Sequence, residues 1–530
     1  MTGTIPPRRL SSGDTFNITL QDRLVHLEQL VTMLGSSEKS LSRVDTPEGL
    51  PTPIGDHSET GIELSVPSVF FANVQQRLFT AKRFSEYEEF WRNPDEASPM
   101  WIGLLYSMIC LAVIASDPSP DVSEHAHQQL QIDLYREKVV QCLVMGEYTQ
   151  GGDYALETFM NYVYVEFRIH YDAQKDVWFL LGLEVNLAKR MGYHRDPKYF
   201  PDITPLKAEM RRRVWATVIL GDILISGQVG MPRMVRDGEF DTAEPRNLND
   251  EDMNEAMTSL PPPRPEAEHT TALGIIARRR LLIALGTISD LTASLNPCSY
   301  ADIMRVDGTL EKAYTSIPPP LHTKSMASSV TDPPQVIMAR LFLRHMFCKG
   351  KIMLHRRFLF TKSAVETQDA YSYSRTACLD AALGMLHIQQ ILDEETCPGG
   401  QLFMMHWRIG SIMNHHFLTA TMVLCSLVHQ RQTLCREEEI VAALRIARSV
   451  WMRKADDSAE AEKAAQAVSI VLARAGGPRF DTALLADLHG PMASQGDVLL
   501  GGPVGDQETF DEQTFLVEAF MSDESDKGAC

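Results

Sequence analysis

The chain has 530 residues, with 50 Lys and Arg against 69 Asp and Glu, which gives a formal charge of −19. Hydrophobic residues make up 44% and charged residues 22%, the proportions of an ordinary globular protein with length for one large core or a few smaller ones. This balance excludes a collagen, a coiled-coil rod, a disordered polyampholyte and a DNA binder that works through a broad basic face.

Residues 1–19 are polar and lack the apolar run of a secretory signal. Leu20, Leu24, Leu27, Val31 and Leu34 then follow one another at spacings of 4, 3, 4 and 3, the seam of a coiled coil. Thr19 with Asp22 begins this helix and Gly35 stops it. Two heptads are marginal alone, so residues 20–34 are expected to pair as a homodimer or heterodimer, or else to dock on the body. The polar flanks offer no nearby core, which favours pairing. Residues 35–63 are rich in Ser, Pro, Gly and charge, the composition of a flexible linker.

From residue 64 to 475 the apolar residues recur with a helical period and short alternating strands are almost absent, so this stretch is expected to be all-α. The apolar runs 101–115 and 412–428 are too short and too polar to span a membrane and read as buried helices. Residues 176–191 are apolar nearly all round and stop at Gly192, as a central buried helix would. Thr204-Pro205 starts the next helix with a good cap and a proline at the first position. Further helices are expected at 271–295, 335–360, 371–393, 402–430 and 436–451, broken by the proline runs at 261–265 and 318–320.

Residues 476–505 turn Gly-rich, and 506–530 hold eight acids and one lysine. This tail interleaves its charge with Phe510, Phe515, Leu516 and Phe520, the composition of a disordered acidic activation segment. A C-terminal helix docking Phe515 and Phe520 on its own core is the other reading of the same residues.

The nine cysteines are never closer than ten positions apart, so neighbouring residues build neither a zinc knuckle nor a CxxC redox motif. Most lie in apolar runs, which suits a reducing compartment. His194-Arg195-Asp196 opens like a kinase catalytic loop, but Pro197 follows and Pro201 stands where the asparagine belongs. His415 and His416 point about 100° apart on a helix and do not easily share a metal. The acids Asp237, Glu239, Asp241 and Glu244 read as a solvated loop before a cation site. Arg211-Arg212-Arg213, the strongest basic cluster, sweeps about 200° of a helix. At least one of its guanidiniums should lean toward Trp215 and need Glu209, Asp222 or Asp241 as partner.

The ordered series Arg190, Gly192, His194-Arg195-Asp196, Glu209, Arg211-Arg212-Arg213, Trp215, Asp222, Gly230, Pro232-Arg233 resembles the fungal-specific transcription factor domain, the middle homology region of fungal binuclear zinc-cluster regulators. The likeness continues through Leu354-His355-Arg356-Arg357-Phe358, residues 373–378 and residues 416–420, and so covers roughly 65–450. The resemblance implies a nuclear regulator of transcription, not an enzyme, with an all-α regulatory domain, a dimerising helix ahead of it and an activation tail. It further implies a pathway-specific activator, in keeping with regulators of secondary-metabolite gene clusters. Partners would be the transcription machinery and an unidentified small-molecule effector, with DNA reached only indirectly or through a missing N-terminal module, and no membrane.

Such regulators carry a six-cysteine, two-zinc cluster before the coiled coil. Here no cysteine precedes Cys110, so no residue of this chain is assigned to zinc or to direct DNA contact. An upstream exon, a cluster-less co-regulator acting through a heterodimer, and a regulator that titrates its relatives each account for this. The remote alternative is a helical enzyme or small-molecule binding protein with a pocket near Trp178, Trp215 and Trp407.

Overall fold

A computed structural model describes residues 90–475, apart from 117–121, 171, 173–174, 295–297 and 362–369. The dimerisation helix 20–34, the linkers 35–63 and 476–505 and the tail 506–530 lie outside the described residues. Within them every regular element is helical and there is no strand.

The first half is built from α1 (Pro99–Ala115), α2 (Val122–Met145), α3 (Ala155–Arg168), α4 (Lys175–Arg190), α5 (Pro205–Gln228), α6 (Leu273–Thr292) and α7 (Tyr300–Thr315). Helix α1 begins where the Ser98 hydroxyl accepts from the Trp101 amide at 3.2 Å, with Pro99 in the first turn. It is apolar all round and correspondingly buried, packing on α2 and α3. Helix α5 begins as its sequence predicts, with the Thr204 hydroxyl accepting from the Lys207 amide at 3.3 Å.

The second half comprises α8 (Pro334–His355), α9 (Ser372–Glu395), α10 (Ser411–His429), α11 (Glu437–Lys454) and α12 (Ala459–Ala475). Two apolar cores result, and α8 belongs to both. Its Leu343, Met346, Phe347 and Leu354 close the first core, while Met338, Leu341, Cys348 and Ile352 enter the second. Gly350 permits this, since a Cβ there would lie 2.7 Å from a Leu310 methyl and 3.0 Å from one of Leu285.

The central buried helix is thus α8 and not α4. Phe179 and Leu183 of α4 are 66% and 46% exposed, because a helix on the flank of a bundle buries one face whatever its composition. The stretch 402–430 also divides. A 3₁₀ turn at Phe403–Arg408 precedes α10, and Arg168 holds the break by donating to the Ile409 carbonyl at 2.9 Å. Among the described residues α10 alone is long and apolar enough to cross a membrane, and 72% of it is buried in the second core.

Candidate functional site

The motifs quoted above converge where α4 ends and α5 begins. Gly192, at φ +76°, closes α4: its amide donates to Lys189 and the Tyr193 amide reaches back to Ala188, each at 3.0 Å. The chain then turns through His194, Arg195 and Asp196. Asp196 is buried and accepts two 3.1 Å bonds from Arg212, and it also takes the amides of Ala243 and Lys198. Burial pushes its carboxyl up, but these donors outweigh burial and hold it at about 2. His194 leans on Trp215, and its carbonyl accepts from the Asp241 amide at 3.0 Å.

The three arginines of α5 divide their work. Arg213 is 1% exposed and binds Glu209 at 3.3 Å, Asp250 at 2.6 Å and the Leu248 carbonyl at 3.0 Å. Glu209 answers the expectation of a carboxylate partner, and it also accepts from the Arg246 amide at 2.9 Å. Arg212 takes Asp196. Arg211 donates to the Met191 carbonyl at 2.7 Å and lies over the rings of Tyr193 and Phe200. Asp222 and Asp241 are not partners of the triplet. Asp222 accepts from the Met234 and Val235 amides and from Ser226, and Asp241 pairs with Arg195.

These contacts fix residues 229–272, a long connection whose only regular piece among the described residues is a 3₁₀ turn at Asp250–Asp252. A second triplet, Arg278-Arg279-Arg280 on α6, completes the clamp. Arg279 donates to the Thr242 carbonyl at 3.0 Å, and Arg280 bridges Glu244 at 2.7 Å and Glu266 at 2.6 Å. This triplet carries the same sequence signal as Arg211–Arg213, although the sequence-based expectation does not include it.

Gly230, at φ +67°, ends α5 by the device used at Gly192, with the Met231 amide donating to Ser226 at 2.9 Å. Pro232 is exposed, whereas Arg233 is buried and held by Asp290 at 2.6 Å and Asp237 at 3.1 Å. Gly286 makes room for that guanidinium, since a Cβ there would stand 2.7 Å from Arg233 Nη1. The acids 237, 239, 241 and 244 are therefore anchors. They pair with Arg233, Lys189, Arg195 and Arg280 respectively and stay 48%, 45%, 37% and 30% exposed, so a solvated loop, tied down by these pairs, describes them better than a cation site. Arg190 reaches the Thr149 carbonyl.

A second polar cluster joins two of the later motifs. Asp307 accepts from Lys351 at 2.6 Å, from the Tyr373 hydroxyl at 2.6 Å and from His355 at 3.1 Å. His355 Nδ1 faces the Ser374 hydroxyl at 2.9 Å. Burial raises the Asp307 carboxyl, yet His355, Lys351 and Tyr373 outweigh it and hold it at about 2. The order Ser374, His355, Asp307 is that of a hydrolytic triad. However, Ser374 and His355 are 0% exposed, and Ser374 also meets the Tyr300 hydroxyl at 3.0 Å. With no open face on the serine, the cluster is structural.

The adjacent histidines also separate. His416 is buried, with its Nδ1 2.8 Å from His345 Nε2, whereas His415 faces Glu460. No group of three or more His, Cys, Asp or Glu suited to a metal occurs among the described residues, so zinc does not fit them. Cys110, Cys142, Cys348, Cys378 and Cys425 are buried free thiols. The three tryptophans do not share a site: Trp178 donates to Ser226, Trp215 packs on Phe240 and His194, and Trp407 lies beneath Arg408.

A model of the fungal specific transcription factor domain matches residues 68–311. The chain is 40% identical over 404 residues to the Zn(2)-C6 fungal-type transcription factor mpsB of Macrophomina phaseolina, covering 74% of this chain and 54% of that protein. It is 38% identical over 422 residues to the equisetin cluster transcription factor eqxF of Fusarium heterosporum, covering 77% and 60%. To the transcription factor cghF of Chaetomium globosum it is 33% identical over 426 residues, covering 79% and 74%. The chain thus spans just over half the length of the first two relatives. No solved structure matches it.

Proposed function

Because the chain belongs to the fungal-specific transcription factor family and is a regulator of transcription, not an enzyme, we propose that it controls one secondary-metabolite gene cluster from the nucleus. The observation that carries this reading is its 38% identity, over 77% of its length, to a factor named for the equisetin cluster. Further relatives at 39% and 38% identity are named for the fusarisetin A and pyrrolocin clusters.

In this reading residues 64–475 form the regulatory body, 20–34 pair the chain with a second copy or a relative, and 506–530 recruit the transcription machinery. The heptad spacing and the acidic-aromatic composition support the last two assignments. DNA is reached in this reading through a paired relative or through an N-terminal zinc module outside residues 1–530.

The test is deletion of the gene followed by transcript profiling. One contiguous block of biosynthetic genes should fall by tenfold or more (about 1.4 kcal/mol per decade in promoter occupancy). Scattered changes, or none, would sink the pathway assignment. In the same strain Leu24→Asp with Val31→Asp tests pairing, and alanines at Phe515, Leu516 and Phe520 test the tail. Either role fails if its variant restores full transcription.

A further inference from the structure

Helix α2 packs on α1 and α3 along one side and leaves the other side apolar and open. Leu130 and Val144 are 68% and 66% exposed, and Leu134 and Val140 are 38% and 37% exposed. At 100° per residue these four side chains, with exposed Ala126, fall within about 120° of the helix surface. Asp133 and Glu137, both exposed, lie in the same arc, and no lysine or arginine does. The nearest arginine, Arg136, turns away to Glu166. A single exposed leucine is ordinary, whereas a stripe of four large apolar side chains marks a surface that something covers.

The sequence just ahead of the described residues has the complementary pattern. Residues 66–85 carry Arg77, Lys82 and Arg83 and no acid. On a helix, Phe70, Phe71, Val74, Leu78 and Ala81 would fall within about 100°, with Arg77 and Lys82 at the two edges of that stripe. The point of entry also fits. Phe90, the first described residue, is buried with its ring 4.6 Å from Trp101. This end of α1 lies on the last turns of α2, because a Cβ at Gly146 would meet Met100 and one at Gly103 would stand 2.8 Å from Cys142. A chain arriving at Phe90 therefore passes the Val144 end of the stripe and can lie along it from Leu130. Leu130 to Val144 is about 21 Å of helix, and Phe70 to Phe84 would be the same.

We infer that residues 70–84 form a helix that docks on the exposed stripe of α2 and runs parallel to it, with Arg77 level with Glu137. Apolar side chains then cover apolar side chains, and a basic segment meets an acidic face. A second copy of α2 is a poorer cover. A two-fold contact centred on the stripe sets Glu137 against Glu137 in the absence of any base on the arc. The docked helix fastens the tether from residues 20–34 to the corner of α1 and α2, and leaves 35–69 as the free length between the pairing segment and the body. This goes beyond the regulatory reading and does not depend on it.

The test is limited trypsin digestion of the full-length protein, with the cuts located by mass spectrometry. Cleavage after Arg77, Lys82 and Arg83 should be tenfold or more slower than after Lys39 and Arg43 in the linker. Leu130→Asp with Val144→Asp should abolish that protection without opening new cuts in 90–475, since both side chains are exposed. Leu78→Asp should do the same from the other partner. Glu137→Arg and Arg77→Glu should each speed the cut after Lys82 about two- to fivefold and, combined, restore the parent rate; a combined variant that stays open overturns the parallel register. The docking is disproved if the three sites are cut as fast as the linker in the parent, or if Leu130→Asp with Val144→Asp leaves them protected. It is disproved equally if, in a chain already carrying Leu24→Asp and Val31→Asp, the same two changes lower the hydrodynamic mass, because the cover is then a second copy.

Discussion

At the scale of single residues, the body is held by cations placed where apolar packing would otherwise continue. Arg213 shows what this costs to disturb, because Glu209 is 0% exposed and relies on it. Burial pushes the Glu209 carboxyl up against the pull of Arg213. Arg213→Met should destabilise the protein by about 3–5 kcal/mol, since it strands a buried charge. Arg195→Met, at a pair 52% and 37% exposed, should move the unfolding midpoint far less. Urea midpoints compare the two directly.

The histidine pair gives a pH dependence with a definite sign. Burial drives His345 down to about 3 and His416 well below its ordinary value, in both cases with help from the Lys349 charge. The unfolded chain therefore binds more protons below about pH 6.5, and stability, complete above that pH, falls as pH drops toward 3. Glu184 works in the opposite direction. Burial and then Asp222 raise its carboxyl to about 8, so its contribution declines as pH rises from about 4.5 through 8. The histidine loss between pH 6.5 and 5 should be plainest in a Glu184→Gln background, and His416→Gln should flatten it.

At the scale of elements, two helices end on glycines that no other residue replaces cheaply. Gly192→Ala forces a positive φ on alanine and sets its methyl 3.2 Å from Arg211 Nη2 and from the Phe200 ring. A loss of about 1–2 kcal/mol is expected, measured by chemical denaturation. This end of the fold was legible in advance, because a glycine stop and a Thr-Pro start are local signals. Glu209 was legible too, lying one helical turn from Arg213. Asp250 was not: it is 37 residues from Arg213 and reaches it only through the folded loop. The same limit hid Asp307, which gathers Lys351, His355 and Tyr373 from two other helices. The rank of the helices was misleading for a different reason. Helix α4 looks central because residues 177–183 form an unbroken apolar run. Helix α8 carries two arginines, two lysines and two histidines and is nonetheless the buried axis, since most of those side chains find partners inside.

At the scale of the whole molecule, two cores share α8, and the second half owes its closure to it as much as the first does. The match to the family model stops at residue 311, within α7. A fragment of residues 64–311 should therefore expose the faces that Leu343, Met346, Phe347 and Leu354 cover, and should aggregate where 64–475 runs as a single species on gel filtration. The stretch that the family model matches and the stretch that completes both cores are different objects. Domain swaps between such regulators, cut at the edge of the recognisable region, would sever a shared axis and give inactive chimaeras for reasons unrelated to DNA or effector choice.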